Sequence, residues 1–132
     1  MIVLKKYNAK KIYFIYSGAS AFFFTLVFTI SSIYFIQQVK LNPLQLVLVG
    51  TFLEAAVFIF EIPTGIVADL HSRKLSILIG LVVISSGFLL QGIVPLFTTI
   101  LTAQILWGIG YTFLSGADTA WIADESGAKD LT

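Results

Sequence analysis

Charge is missing from two long stretches of this chain. No residue from Ile12 to Val39 is charged, and none from Leu75 to Ala117. About 20 apolar residues, rising about 1.5 Å each, carry a helix across a hydrocarbon core about 30 Å thick. A helix also bonds its own backbone, which that solvent demands. Only 11% of the residues are charged, against about 25% in soluble domains. A water-soluble chain of 132 residues could not hide this much apolar surface, so the lipid bilayer is the expected surrounding. A net charge of +1 provides no basic stripe for nucleic acid. With no cysteine and a single histidine, the chain has no disulfide, no thiolate chemistry and no ordinary zinc site, and no cofactor or metal is expected.

The spans follow from where polar residues interrupt the runs. A first helix fits about 12–39. The basic start, Lys5, Lys6, Lys10 and Lys11, resembles a signal-peptide head, but the apolar part is too long for a cleaved signal and no small-x-small site closes it. Lys40, Asn42 and Pro43 form a turn, with Pro43 suited to the first turn of a helix. A second span covers about 44–68, a polar turn 69–74, a third span about 75–93 and a fourth about 99–122, with Gln91, Gly92 and Pro95 marking the break between the last two. The expected fold is all-α, a polytopic membrane protein of four transmembrane helices. Lys5, Lys6, Lys10, Lys11, Arg73, Lys74 and Lys129 then fall on one side and only Lys40 on the other. The positive-inside rule puts both termini and the 69–74 turn in the cytoplasm. Tyr7, Tyr13, Tyr16 and Trp121 suit the cytoplasmic interface, and Phe22, Phe23 and Phe24 suit lipid contact and packing.

Acids inside the spans carry the functional signal. Glu54 lies mid-span and Glu61 follows seven residues later on nearly the same face, with Phe58 and Gly65. A carboxylate facing lipid costs several kcal/mol, so this face should meet a protein interior, a polar cavity or a partner. One reading is a substrate or proton site; the other is a structural carboxylate bonded to a neighbouring helix. In the fourth span Gln104, Gly108, Tyr111, Ser115 and Asp118 recur at spacings of three or four and share a face. Gly108 and Gly110, then Ser115, Gly116 and Ala117, permit close helix approach. Asp118 needs a partner or water, and Asp124 at the membrane surface lies within reach of Arg73. Pro63 should bend the second span. No nucleophile–base pair is legible and His71 stands alone in its turn, so no enzyme is expected.

The segment Gly65-Ile-Val-Ala-Asp-Leu-His-Ser-Arg-Lys74 resembles the signature loop that joins the second and third helices of major facilitator superfamily transporters. Gly65, Ala68, Asp69, Arg73 and Lys74 fall on the family's positions. Phe60-Glu-Ile-Pro-Thr-Gly65 resembles the version in bacterial drug-exporter-like members, and Trp107-Gly-Ile-Gly110 and Ser115-Gly-Ala-Asp-Thr-Ala-Trp-Ile-Ala-Asp124 are similar to the family's fourth helix. The resemblance implies a cytoplasmic latch. Asp69 would cap or pair with the opposite bundle, Arg73 would bridge to Asp124, and the latch would favour the outward-facing state. It also implies efflux of a small amphiphilic substrate, with protons as one coupling ion, across a bacterial plasma (inner) membrane. The transport and coupling candidates are Glu54, Glu61, Gln104 and Asp118. The latch candidates are Gly65, Asp69, Arg73, Lys74 and Asp124.

Three positions depart from that pattern. Leu70 stands where a basic residue is usual. Ser72 replaces a glycine, which would cost about 1–2 kcal/mol if the position required positive φ. Gln104 stands where many proton-coupled exporters carry an arginine. The family is built from two six-helix halves, each of three-plus-three inverted repeats. Four spans would therefore be a partial N-terminal transmembrane bundle over residues 1–132, needing the remaining transporter helices as partners and leaving the polar faces of spans two and four without their covering walls. A complete four-helix transporter that oligomerises is the alternative, against which the first span carries no carboxylate. A non-transporting membrane scaffold is the third reading.

Overall fold

The computed structural model describes residues 9–125, all of whose regular elements are helices: α1 (Ala9–Gln37), α2 (Pro43–Leu70), α3 (Arg73–Ile93), α4 (Phe97–Leu114) and α5 (Ala117–Glu125). The first four are long and apolar enough to cross a membrane. Lys5, Lys6, Tyr7 and Lys129 lie outside the described residues.

Local chemistry sets the turns. Asn42 caps α2 in a reciprocal box: Gln45 N–H donates to Asn42 Oδ1 at 2.8 Å, and Asn42 N–H donates to Gln45 Oε1 at 2.9 Å. Pro43 follows at the first position, where its missing N–H removes nothing. Lys40 holds φ 57° in the turn before it, a left-handed conformation that favours glycine. Ser72 is extended (φ −160°) and its hydroxyl accepts from Leu75 N–H at 3.3 Å as the N-cap of α3. The position therefore does not require positive φ, and the strain envisaged for a serine there is absent. α2 runs through Pro63 as one helix, and Thr64 Oγ1 donates to the carbonyls of Phe60 (2.8 Å) and Glu61 (3.3 Å) around it.

The fourth span departs from the continuous helix expected over 99–122. It stops at Leu114 and resumes as α5 at Ala117, because Gly116 takes φ +77° and turns the chain out of helical register. The small size of Gly116 serves this turn and not packing, since a Cβ there would meet nothing within 4 Å. Asp118 falls in the first turn of α5, where the helix dipole favours an acid.

α4 is the central element, packed between α2 and α3. Its glycines set the spacing. A Cβ on Gly110 would lie 2.8 Å from the Gly80 carbonyl oxygen, and one on Gly108 would lie 2.8 Å from Ala56 Cβ and 3.0 Å from the Leu53 carbonyl oxygen. Gly87 approaches the Ala103 carbonyl in the same way, at 3.0 Å. Without a hydrophobic drive between helices in lipid, such close backbone contact and its dispersion energy hold a bundle together. The α3 face that meets α4 is Ser76, Gly80, Ile84, Gly87 and Gln91, at helical spacing. Fully buried Ser76 donates from Oγ to the Phe113 carbonyl at 2.8 Å.

α1 sits more loosely over this trio. Phe35 joins Leu41, Val49 and Ile100 in the core at the end remote from the α2–α3 turn. Phe24 and Phe28 meet Trp107 edge-on, with centroids 6.1 and 5.2 Å away. Phe22 and Phe23 are both exposed.

Candidate functional site

The candidate residues separate into three places. The first is the end of the bundle that holds the α2–α3 turn. Arg73 opens α3 and reaches across to α5. Its Nη1 donates to the Ala120 carbonyl at 3.1 Å and forms an ion pair with the Asp124 carboxylate. Two bonds from one guanidinium tie α5 to the start of α3, which it also packs against. Arg73 is one-third exposed and Asp124 more than half, so the pair itself stabilises by about 0.2–1 kcal/mol. Its consequence is positional, because the link fixes a short helix that follows a glycine hinge. Asp69, in the last turn of α2, and Lys74, in the first turn of α3, are exposed beside this clamp, and Gly65 is half-buried one turn earlier. Asp69, Arg73, Lys74, Asp124 and Trp121 line one depression, and the Trp121 indole N–H is buried with no acceptor. On the other side of α5, against α1, Asp118 is half-buried and close enough to Tyr16 to interact electrostatically.

The second place is the outer face of α2. Glu54, Phe58 and Glu61 are all exposed, Phe58 at 82%. The inward face is the opposite one, where Val49, Ala56 and Thr64 are buried and Ala56 meets Gly108. Neither carboxylate makes a hydrogen bond or ion pair among the described residues. Of the environments open to Glu54 from the sequence, the interior of these four helices is therefore not the one it occupies. The acids project away from α3 and α4.

The third place is a polar network at the far end of the bundle, which sequence reasoning missed. Tyr34 Oη donates to the Gln91 carbonyl at 2.8 Å, satisfying one of the carbonyls that the last turn of α3 leaves open. Gln91 Nε2 donates to Ser31 Oγ at 3.2 Å, and Gln104 Nε2 donates to Gln91 Oε1 at 3.4 Å. Gln91 is 6% exposed and Gln104 9%. Gln104 and Gly108 are thus covered by their neighbours, which corrects the expectation that the whole polar line of span four stands open. Tyr111 and Ser115, further along that line, are exposed. Gln91 reads in the sequence as a mark of the break before Pro95. The available signal was its place in the period Ser76, Gly80, Ile84, Gly87, Gln91, which puts it on the buried face of α3.

Beside this network lies a cavity of about 360 Å³ between α1, α2, α3 and α4, bounded by Ser31, Phe35, Val49, Gln91, Gln104 and Trp107 among others. Trp107 stacks on Tyr111 at 5.7 Å, and its indole N–H is buried with no acceptor. A buried donor without a partner costs about 1–3 kcal/mol.

No family model matches the chain, and no curated protein or solved structure is similar to it at a significant level. Among the described residues no cluster of histidine and acidic side chains could hold a metal ion.

Proposed function

We propose that the chain is the N-terminal portion of a secondary active transporter of the major facilitator type. It sits in a bacterial plasma membrane with both termini and the α2–α3 turn in the cytoplasm, and it exports a small amphiphilic compound by coupling to an ion gradient. The observation that carries this reading is the clamp at the α2–α3 turn. Arg73, from the loop that resembles the family signature, holds α5 through Ala120 and Asp124 at one end of four apolar helices. A few charge-assisted bonds at such a seam can bias a two-state equilibrium between open and closed ends. Asp69, exposed beside the clamp, is then free to engage a second bundle.

Two further observations support it. Lys10, Lys11, Arg73 and Lys74 gather at one end of the bundle and Lys40 stands at the other, the asymmetry that sets cytoplasmic orientation. The α2 face with Glu54, Phe58 and Glu61 is open, and carboxylates at that depth call for more protein around them. That same face is what favours the second reading, in which copies of a four-helix chain cover it for one another.

Two measurements test the proposal together. The intact mass of the native protein, taken from source membranes, should be several times the 14.5 kDa of these 132 residues; a mass equal to it selects the oligomer. Cells overproducing the native gene product should expel fluorescent amphiphiles faster than cells with empty vector. Asp69→Asn and Arg73→Ala should each slow that efflux at unchanged protein level. Efflux equal to the vector control across a broad dye panel, or insensitive to both substitutions, would reject the transporter reading. Glu54→Gln addresses coupling, since pH-driven efflux that survives it excludes proton carriage through Glu54.

A further inference from the structure

We propose that the cavity between α1, α2, α3 and α4 is a binding site for an uncharged amphiphile, an apolar body carrying a hydrogen-bond-accepting group such as an amide, ester or ether. Its role as the transport site rests on the function proposed above; its role as a binding site does not.

Size, lining and unmet bonding all point to that ligand. A volume of about 360 Å³ lies within the range of about 300–1,000 Å³ usual for small-molecule sites. Phe28, Phe35, Val49 and Phe88 supply apolar walls, and no charged residue lines the cavity. The acids of the neighbouring helix, Glu54 and Glu61, are not among its walls. A cation or anion entering here would lose its hydration with no counter-charge to replace it, which selects against charged ligands.

The polar groups are few and differ in how far they are satisfied. Gln91 is held on three sides, by Tyr34, Ser31 and Gln104, and so is fixed in place. Gln104 makes one long bond, at 3.4 Å, through its Nε2, and the second N–H of that amide remains a donor with no acceptor among the described residues. One wall thus combines a rigid amide with a neighbouring amide that retains a donor, beside the Trp107 ring, as orientation of a neutral polar group requires. The site opens between α1 and α2, where Ser32, Ile36 and Gly50 are both lining and exposed.

The chain's two tryptophans make the test specific. Trp121→Phe leaves Trp107 as the sole indole, and bromine on a bound probe quenches its fluorescence. The protein in nanodiscs is titrated with 4-bromo-N,N-dimethylbenzamide, with the cation 4-bromobenzyltrimethylammonium and with the anion 4-bromobenzoate. The neutral amide should quench saturably and the two ions should not. Gln104→Leu should weaken the amide about tenfold, the loss of one hydrogen bond. Gly50→Leu serves as a second variant that needs no buried polar change. A Cβ at Gly50 meets nothing within 4 Å, so a larger side chain starts into open space at the mouth, and the saturable component should vanish. Quenching by the amide that rises linearly in wild type and both variants alike is membrane partitioning and overturns the site. Saturation by the cation or anion at the same or lower concentration overturns the ligand class. Because binding is read on the chain itself, a saturable signal beside failed efflux would sink the transporter reading and keep the site, and the reverse result would sink the site alone.

Discussion

Substituting Gly110→Ala tests whether backbone contact between α3 and α4 holds the bundle together. The added methyl would sit 2.6 Å from Ile84 Cγ1, 2.8 Å from the Gly80 carbonyl oxygen and 2.9 Å from the Ile84 nitrogen. Ile84 Cγ1 can move by a rotamer change, but the other two atoms are backbone and move only with the helix. Carbon–carbon contacts relax near about 3.5–4.0 Å, so the seam must open by roughly half an ångström or more at this point. The neighbouring contacts then suffer together: the Ser76–Phe113 hydrogen bond at 2.8 Å would stretch, and the Gly87–Ala103 approach would loosen. Overpacking of a close seam costs about 1–3 kcal/mol. The usual advantage of alanine over glycine in a helix, about 1 kcal/mol, offsets little of this, because the segment is helical in lipid before it packs. The expected result is a loss of about 2 kcal/mol in reversible unfolding of the purified chain in mixed micelles. Gly18→Ala is the control, since a Cβ there meets nothing within 4 Å and should change stability by less than about 0.5 kcal/mol. Equal behaviour of the two variants would refute the reasoning. A double substitution, Gly80→Ala with Gly110→Ala, should cost less than the sum of the singles, because both open the same seam.

Three other outcomes are expected. Gly116→Ala should lose about 1–2 kcal/mol through its φ of +77° alone, measured in the same unfolding assay, and should leave the α3–α4 contacts unchanged. Lys40→Gly should gain about 0.5–1 kcal/mol by relieving a left-handed lysine; a loss of stability would mean that the turn depends on the lysine side chain. Arg73→Ala should change global stability by less than about 1 kcal/mol while abolishing amide-exchange protection across α5, the helix its guanidinium holds through Ala120 and Asp124. Intact protection of α5 would show that packing against α3 alone secures it.

Much of the fold was legible because lipid is an unforgiving solvent. The charge-free runs placed four long helices, the first three with ends within a few residues of those observed, while the fourth stops at Leu114 short of its expected end near 122; Asn42-Pro43 and Pro95 placed two of the turns. The proximity of Arg73 and Asp124 could be read from two turns at one end of the bundle. The break at Gly116 could not, since glycine in that segment fits close packing as well as a positive φ, and the choice depends on where α5 finds contact. Nor could the serine at position 72 be read correctly from a pattern that usually holds glycine there, because a residue that serves as an N-cap uses its side chain where a glycine would use its backbone.

What the sequence by itself determined is the class of solvent, the number of long apolar helices and the identity of their punctuation, all of which depend on local composition and period. Which faces meet was decided only by tertiary structure. The outward turn of Glu54 and Glu61, the burial of Gln104 and the joining of Ser31, Tyr34, Gln91 and Gln104 into one network depend on helix rotation and spacing. Those are set by where glycine backbones can approach, at Gly80 with Gly110 and at Gly108 with Ala56. In an apolar span every face is nearly equal in hydrophobicity, so no amphipathic stripe marks the inside, and close packing makes the choice.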